Sequence, residues 1–223
     1  MAPLVVIAGT GTGVGKTHVA AALLRAWGAS SRVVGYKPVE TGTGGGTGED
    51  AQRLLEASTF HVKHSVFRQT FPDPVSPHLA ARRLGATIEL APLVQQTRAL
   101  RAEADGVILE LAGGLCTPLA PGTLNAHLAL KVDATRIVVV APDRLGVLHD
   151  VGATLHAAKH LGLGVSGVVL SEVAHPDASS GTNAREIGHV FGTPVLGTFP
   201  WETRPGEATR KVALSLLTGL QLG

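Results

Sequence analysis

Residues 4–17 read LVVIAGTGTGVGKT, and residues 18–27 continue as HVAAALLRAW. The opening LVVIA is a continuous apolar run with three β-branched residues, the pattern of a strand buried on both faces. The closing segment carries alanine and leucine at helical spacing. Between them, Gly9, Gly11, Gly13 and Gly15 lead into Lys16-Thr17. Strand, glycine loop and helix form the context in which such a loop binds phosphate. Glycines let the backbone curl until several N–H groups face one anion. The following helix turns the positive end of its dipole toward the same place. Lys16 adds a point charge near the β- and γ-phosphates, and the Thr17 hydroxyl can ligate Mg²⁺. The spacing is looser than the usual pattern, with five residues between Gly9 and Gly15. A dinucleotide-type GxGxxG fails in both registers, at Val14 and at Lys16. An ordinary glycine-rich turn is the alternative.

Further short apolar runs follow at Val33–Tyr36, Val107–Leu111, Ile137–Ala141, Val165–Leu170 and Val195–Thr198. Helical patterns lie between them at His18–Trp27, His78–Arg83, Leu90–Ala104, Leu148–Leu161, Asn183–Val190 and Glu207–Leu217. This alternation predicts one α/β domain over residues 1–223. Its core would be a doubly wound, mostly parallel sheet flanked by helices, of P-loop NTPase type, with ligands at the carboxyl ends of the strands. The stretch Thr41–Gly48, TGTGGGTG, has little to pack and reads as a mobile loop and candidate lid, or as plain disorder.

Composition narrows the function. There are 19 basic and 17 acidic side chains, no cationic run, and only 4% aromatic residues, which argues against nucleic-acid binding. The apolar runs fall far short of the roughly 20 residues a membrane span needs. The N-terminus runs straight into a glycine loop and lacks the basic start of a signal peptide. A single cysteine, Cys116, excludes an internal disulfide framework. A cytoplasmic enzyme of small molecules is the expectation.

Three more residues stand out. Glu110 comes late in the run GVILEL and is followed by Ala-Gly-Gly. A carboxylate there is costly to bury without a partner, and a metal at the sheet edge would supply one. A solvated strand-end Glu is the alternative. Lys37 follows the second strand in GYKPV, where Pro38 restricts it to extended geometry. A lysine at that edge can neutralise a transferring phosphoryl group or an anionic substrate, although surface lysines are common. Asp50, beyond the glycine stretch, could reach back as a second metal ligand.

Taken together these segments resemble the dethiobiotin synthetase family. Residues 9–17, GTGTGVGKT, resemble its loop GTDTxVGKT, and Tyr36–Val39 with Thr41 resemble its YKPV element. Asp73–Ala81, DPVSPHLAA, closely resembles its P-x-SPHxAA element, and Glu110–Pro118, ELAGGLCTP, its ExAGGxxxP. Pro200-Trp201, with Glu207 downstream, resembles its late nucleotide-base segment. The matches run in order along nearly the whole chain.

The resemblance implies roles position by position. Gly13, Val14, Gly15, Lys16, Thr17 and His18 would bind the triphosphate. Thr17, Asp50 and Glu110 would hold Mg²⁺. Lys37 and Lys16 would be catalytic, with Thr12, Lys37 and Thr41 touching the substrate. Asp50, Glu110, Leu111, Ala112, Gly113, Ser171, Glu172, Pro200, Trp201, Glu202 and Glu207 would complete the nucleotide site. The implied reaction converts 7,8-diaminononanoate, CO₂ and ATP into dethiobiotin, ADP and phosphate through a carbamate and its mixed anhydride with phosphate. The implied assembly is a homodimer.

Four residues, at three places in the chain, depart from the family pattern. Gly11 replaces a loop Asp. Ser171-Glu172 stands where many members have Asn-Asp, which leaves ATP, CTP and GTP open. His149 replaces an Asn in the segment LGVLHD. A related P-loop amide-forming ligase therefore remains an alternative. So does a nucleotide switch of the chromosome- or septum-partitioning kind, although such switches usually carry a lysine where Gly11 stands. His149, His156 and His160 fit an amphipathic helix face better than a metal site. Cys116 has no paired His motif to make it a nucleophile, and Arg82-Arg83 and Arg210-Lys211 read as solvated helix faces.

Overall fold

The computed structural model describes residues 1–63, 65–202 and 206–222. The elements in chain order are β1 (Leu4–Gly9), α1 (Lys16–Trp27), β2 (Val33–Tyr36), β3 (Val39–Thr41), α2 (Glu49–Ala57), β4 (Gln69–Phe71), α3 (Pro77–Arg83), α4 (Leu90–Glu103) and β5 (Gly106–Gly114). They continue as β6 (Pro118–Ala120), β7 (Thr123–Leu124), α5 (Asn125–Lys131), β8 (Arg136–Pro142), α6 (Val147–His160), β9 (Gly167–Ser171), α7 (Asn183–Phe191), β10 (Val195–Phe199) and α8 (Glu207–Leu220).

Six strands form a parallel sheet in the order β10-β9-β8-β1-β5-β2. Helices cover both faces, as continuous apolar strands require. The side chains of β1 alternate. Leu4, Val6 and Ala8 join Leu93, Leu100 and Leu128 of α4 and α5 on one face. Val5 and Ile7 join Leu23, Leu24, Leu216 and Leu220 of α1 and α8 on the other. Toward the far edge, Val139 and Val168 pack against Val147, Val151 and Ile187 of α6 and α7. Each fully buried Leu or Val contributes roughly 1.5–3 kcal/mol relative to exposure.

β1 lies between β5 and β8, so the chain's progression across the sheet reverses beside it. That reversal opens a crevice at the carboxyl ends of the strands, where open α/β sheets take their ligands. The glycine loop after β1 sits there, anchored by Thr10 N donating to Val140 O of β8 at 3.0 Å.

The structure adds elements that periodicity did not suggest. α2 and α5 are helical, and β3–β4 and β6–β7 form two small satellite sheets. β5 continues to Gly114, so Glu110 lies within a strand and not at its end. Thr41 closes β3, and backbone amides of Gly42, Thr43 and Gly44 donate to the carbonyls of Asp73, Phe71 and Pro72. The start of the glycine stretch is thus bonded to the segment Phe71–Asp73. Among the described residues no helix is long and apolar enough to cross a membrane.

Candidate active site

Gly15 ends the loop at φ +93°, a left-handed conformation that favours glycine, and α1 begins at Lys16. A Cβ at Gly15 would stand 2.7 Å from Ser171 Oγ, so β9 leaves no room for a larger residue there. With this turn, Lys16 and Thr17 enter the first turn of the helix, whose amides have no helical partners and are free to meet an anion.

Four charged side chains meet beside the loop. Lys37 Nζ donates to Asp50 Oδ2 at 2.7 Å and also to Glu110 Oε1. Thr17 Oγ1 donates to the same Glu110 oxygen at 3.0 Å. Lys16 Nζ donates to the Gly11 carbonyl at 2.8 Å. Glu110 is fully buried, and Lys16 and Lys37 are nearly so. Hence the solvated strand-end alternative for Glu110 does not hold. Its second oxygen, Oε2, is buried without a hydrogen-bond partner among the described residues.

Burial shifts these groups unequally. It lowers Lys16 to about 8, reinforced by the like charge of Lys37 and opposed by Glu110 and Asp50. Burial also pulls Lys37 down, but the Glu110 and Asp50 carboxylates outweigh it and hold the ammonium above its ordinary value. For Asp50 the upward push of burial loses to Lys37 and a Thr17 hydrogen bond, leaving the carboxyl below its usual range. For Glu110 burial prevails and raises the carboxyl against the pull of Lys37. An orphaned carboxylate oxygen, a second carboxylate and a hydroxyl are hard oxygen donors, and such a set fits Mg²⁺.

The sequence candidates sort into two groups. Thr12, Gly13, Gly15, Lys16, Thr17, His18, Lys37, Thr41, Asp50, Glu110, Ala112 and Gly113 line one cavity of about 730 Å³. The SPH element reaches it through Pro74–Pro77. Val14 and Leu111 do not line it. Val14 packs against the α1 core, and Leu111 lies in the core on the opposite face of β5 from Glu110 and Ala112. Residues 171, 172, 200, 201, 202 and 207 also lie outside this cavity. They form a neighbouring rim, reached through Gly15 against Ser171 and through His18, whose ring meets Phe199 edge-on at 5.8 Å. In that rim Glu172 Oε2 accepts from Trp201 N at 3.0 Å. Glu202 Oε2 accepts from Gly206 N at 2.7 Å and Thr209 Oγ1 at 2.6 Å. Trp201 is largely exposed, and Glu207 opens α8.

Sequence reasoning missed Glu40, Thr117 and Asn125. Glu40 and Thr117 line the cavity. Thr117 Oγ1 accepts from Gly114 N, and Asn125 Nδ2 donates to the carbonyls of Ala112 and Gly114. These bonds set the path of the backbone just beyond Glu110. For Asn125 nothing in the local sequence marks this, because its partners are backbone carbonyls 11 and 13 residues earlier in the chain. A second cavity of about 450 Å³ on the other side of the loop brings together Gly9–Gly11, Cys116, His149 and Asp150.

A glycine loop opening a helix, with acidic and basic groups gathered at the switch of a parallel sheet, defines a P-loop nucleotide-binding protein. Consistent with this class, residues 4–209 match a family described as an AAA domain. The septum site-determining protein MinD from Pyrococcus horikoshii, solved with Mg-ADP, shares the fold at a TM-score of 0.64 and 17% identity, over 97% of this chain and 94% of its own. The chain belongs to the ATP-dependent dethiobiotin synthetase family. It is 37% identical to the synthetase BioD of Anaeromyxobacter dehalogenans over 97% of both chains. It is 33% identical to BioD 1 of Escherichia coli O157:H7 over 95% of this chain and 97% of that one.

Proposed function

We propose that this chain, an ATP-dependent ligase of biotin biosynthesis, closes the ureido ring of dethiobiotin at the Lys16–Lys37–Asp50–Glu110 cluster. The observation that carries the assignment of the site is the convergence of all four groups on one 730 Å³ cavity beside the glycine loop. In this reading CO₂ adds to one amine of 7,8-diaminononanoate and gives a carbamate. A carbamate oxygen attacks the γ-phosphorus of ATP, ADP leaves, and a mixed carbamic–phosphoric anhydride results. The second amine then attacks the carbonyl carbon, loses its proton and expels phosphate.

The protein's part is positioning and charge neutralisation. The Gly13–His18 segment, with Val14 contributing backbone alone, cradles the phosphates. Lys16 follows the β- and γ-phosphates. Lys37 steadies the carbamate and the phosphoryl group, and Thr12 and Thr41 touch the substrate. Thr17, Asp50 and Glu110 would hold Mg²⁺, which when bound would offset phosphate charge. Glu110–Gly113, with Leu111 contributing backbone alone, completes the nucleotide site. Ser171-Glu172, Pro200–Glu202 and Glu207 face the base. Residues 1–223 then act as one synthetase domain. The family likeness supports a homodimer in the cytoplasm, and the near-balanced charge supports small-molecule partners without nucleic acid or membrane.

Isotope transfer tests this route. With ¹⁸O-labelled bicarbonate equilibrated to CO₂, one labelled oxygen should appear in the released phosphate for each ring closed. Unlabelled phosphate alongside dethiobiotin would rule out the mixed anhydride.

A further inference from the structure

Glu40 stands in β3, at the one position that the YKPV-type element skips, and it is buried. Its two carboxylate oxygens divide between two amides of α2. Oε1 accepts from Asp50 N at 2.9 Å, and Oε2 accepts from Ala51 N at 3.0 Å. First-turn amides have no partner inside their own helix. The residue before the helix, Gly48, has no side chain with which to cap them. Gly48 stands at φ +89°, and a Cβ there would come within 2.2 Å of Glu40 Oε2. A glycine is what leaves room for this carboxylate, which also places negative charge at the positive end of the helix.

The rest of α2 is secured by other means. Ala51, Leu54 and Ala57 are buried, with Leu54 and Ala57 in the core cluster that includes α1 and β2. Glu40 therefore acts on the first turn alone, and that turn carries Asp50, whose carboxylate meets Lys37.

From this geometry we infer that Glu40 is a positioning residue: by clamping the first turn of α2 it aims the Asp50 carboxylate at Lys37 and at the metal site. The inference rests on the reading of Asp50 as a metal ligand. A side chain that merely stabilised α2 would alter folding stability without altering how strongly metal and nucleotide reinforce one another.

The ratio of ADP dissociation constants in EDTA and in Mn²⁺, measured by calorimetry, reads that reinforcement directly. Asp50→Asn should shrink the ratio. Glu40→Ala should shrink it by about tenfold or more, the usual scale for a residue that orients a metal ligand. Combining the two should shrink it no further than Asp50→Asn alone. A wild-type ratio in Glu40→Ala overturns the inference, as does an equal drop whether or not Asp50 is intact. A wild-type ratio in Asp50→Asn removes the metal reading of Asp50, and the role of Glu40 with it. Should Glu40→Ala fail to fold, Glu40→Gln carries the same comparison, because it keeps the size but turns one accepting oxygen into a donor.

Discussion

The proposed phosphate end and the proposed base end of this site share a sheet edge but are built differently. At the phosphate end, Lys16, Lys37 and Glu110 are almost wholly buried, and one Glu110 oxygen has no partner among the described residues. Burying charge costs free energy, and an unsatisfied carboxylate oxygen adds to the cost. On the proposed reading, a bound metal and nucleotide would offset that cost. At the proposed base end Glu172 is exposed and Glu202 half-buried, and both are occupied: Glu172 by the Trp201 amide, Glu202 by Gly206 and Thr209. They shape the rim by bonding to the protein itself. On the proposed reading, this contrast puts the chemistry in the buried cluster and leaves the rim the more tolerant of substitution.

Substitutions can break or sharpen this contrast. Lys16→Ala should lower ATP-dependent phosphate release by on the order of a thousandfold, since it removes the charge facing the transferred group. Near wild-type release would undo the phosphate-loop assignment. The same lysine sets a pH limit. Only its ammonium form attracts phosphate and burial lowers it to about 8, so ADP affinity should weaken as pH rises through that value. A flat profile from pH 7 to 9 would count against Lys16 as the phosphate contact. Lys37→Ala should cost about a hundredfold in kcat while ADP affinity changes by only a few-fold. Equal losses in both would contradict its catalytic role. At the rim, Glu202→Ala should alter nucleotide affinity by about a few-fold at most, because its carboxylate is bonded to Gly206 and Thr209 of the protein itself. A loss rivalling that of Lys37→Ala would erase the distinction between the two ends.

Sequence made the phosphate end legible because its signals are local. A strand, glycines and Gly-Lys-Thr lie in one unbroken stretch, and every strand of the main sheet is built around a short apolar run. Glu110 also showed itself as a carboxylate in an apolar strand. The strand's period of two could have excluded the Leu111 side chain, since Glu110 and Ala112 share one face and Leu111 takes the other. α2 was hidden for a different reason. Its segment EDAQRLLEA follows a glycine-rich stretch, buries only Ala51, Leu54 and Ala57, and receives its cap from Glu40 in another element. Asn125 likewise acts on backbone outside its own segment, the carbonyls of Ala112 and Gly114, and no residue pattern announces that.

On the proposed reading, this buried cluster drives ATP-dependent ring closure on a diamine acid. Phosphate release should be followed with ATP and Mg²⁺ alone, and again after adding 7,8-diaminononanoate and bicarbonate. The pair should accelerate release markedly, with dethiobiotin formed in step with phosphate. No acceleration with ATP, CTP or GTP would contradict that reading.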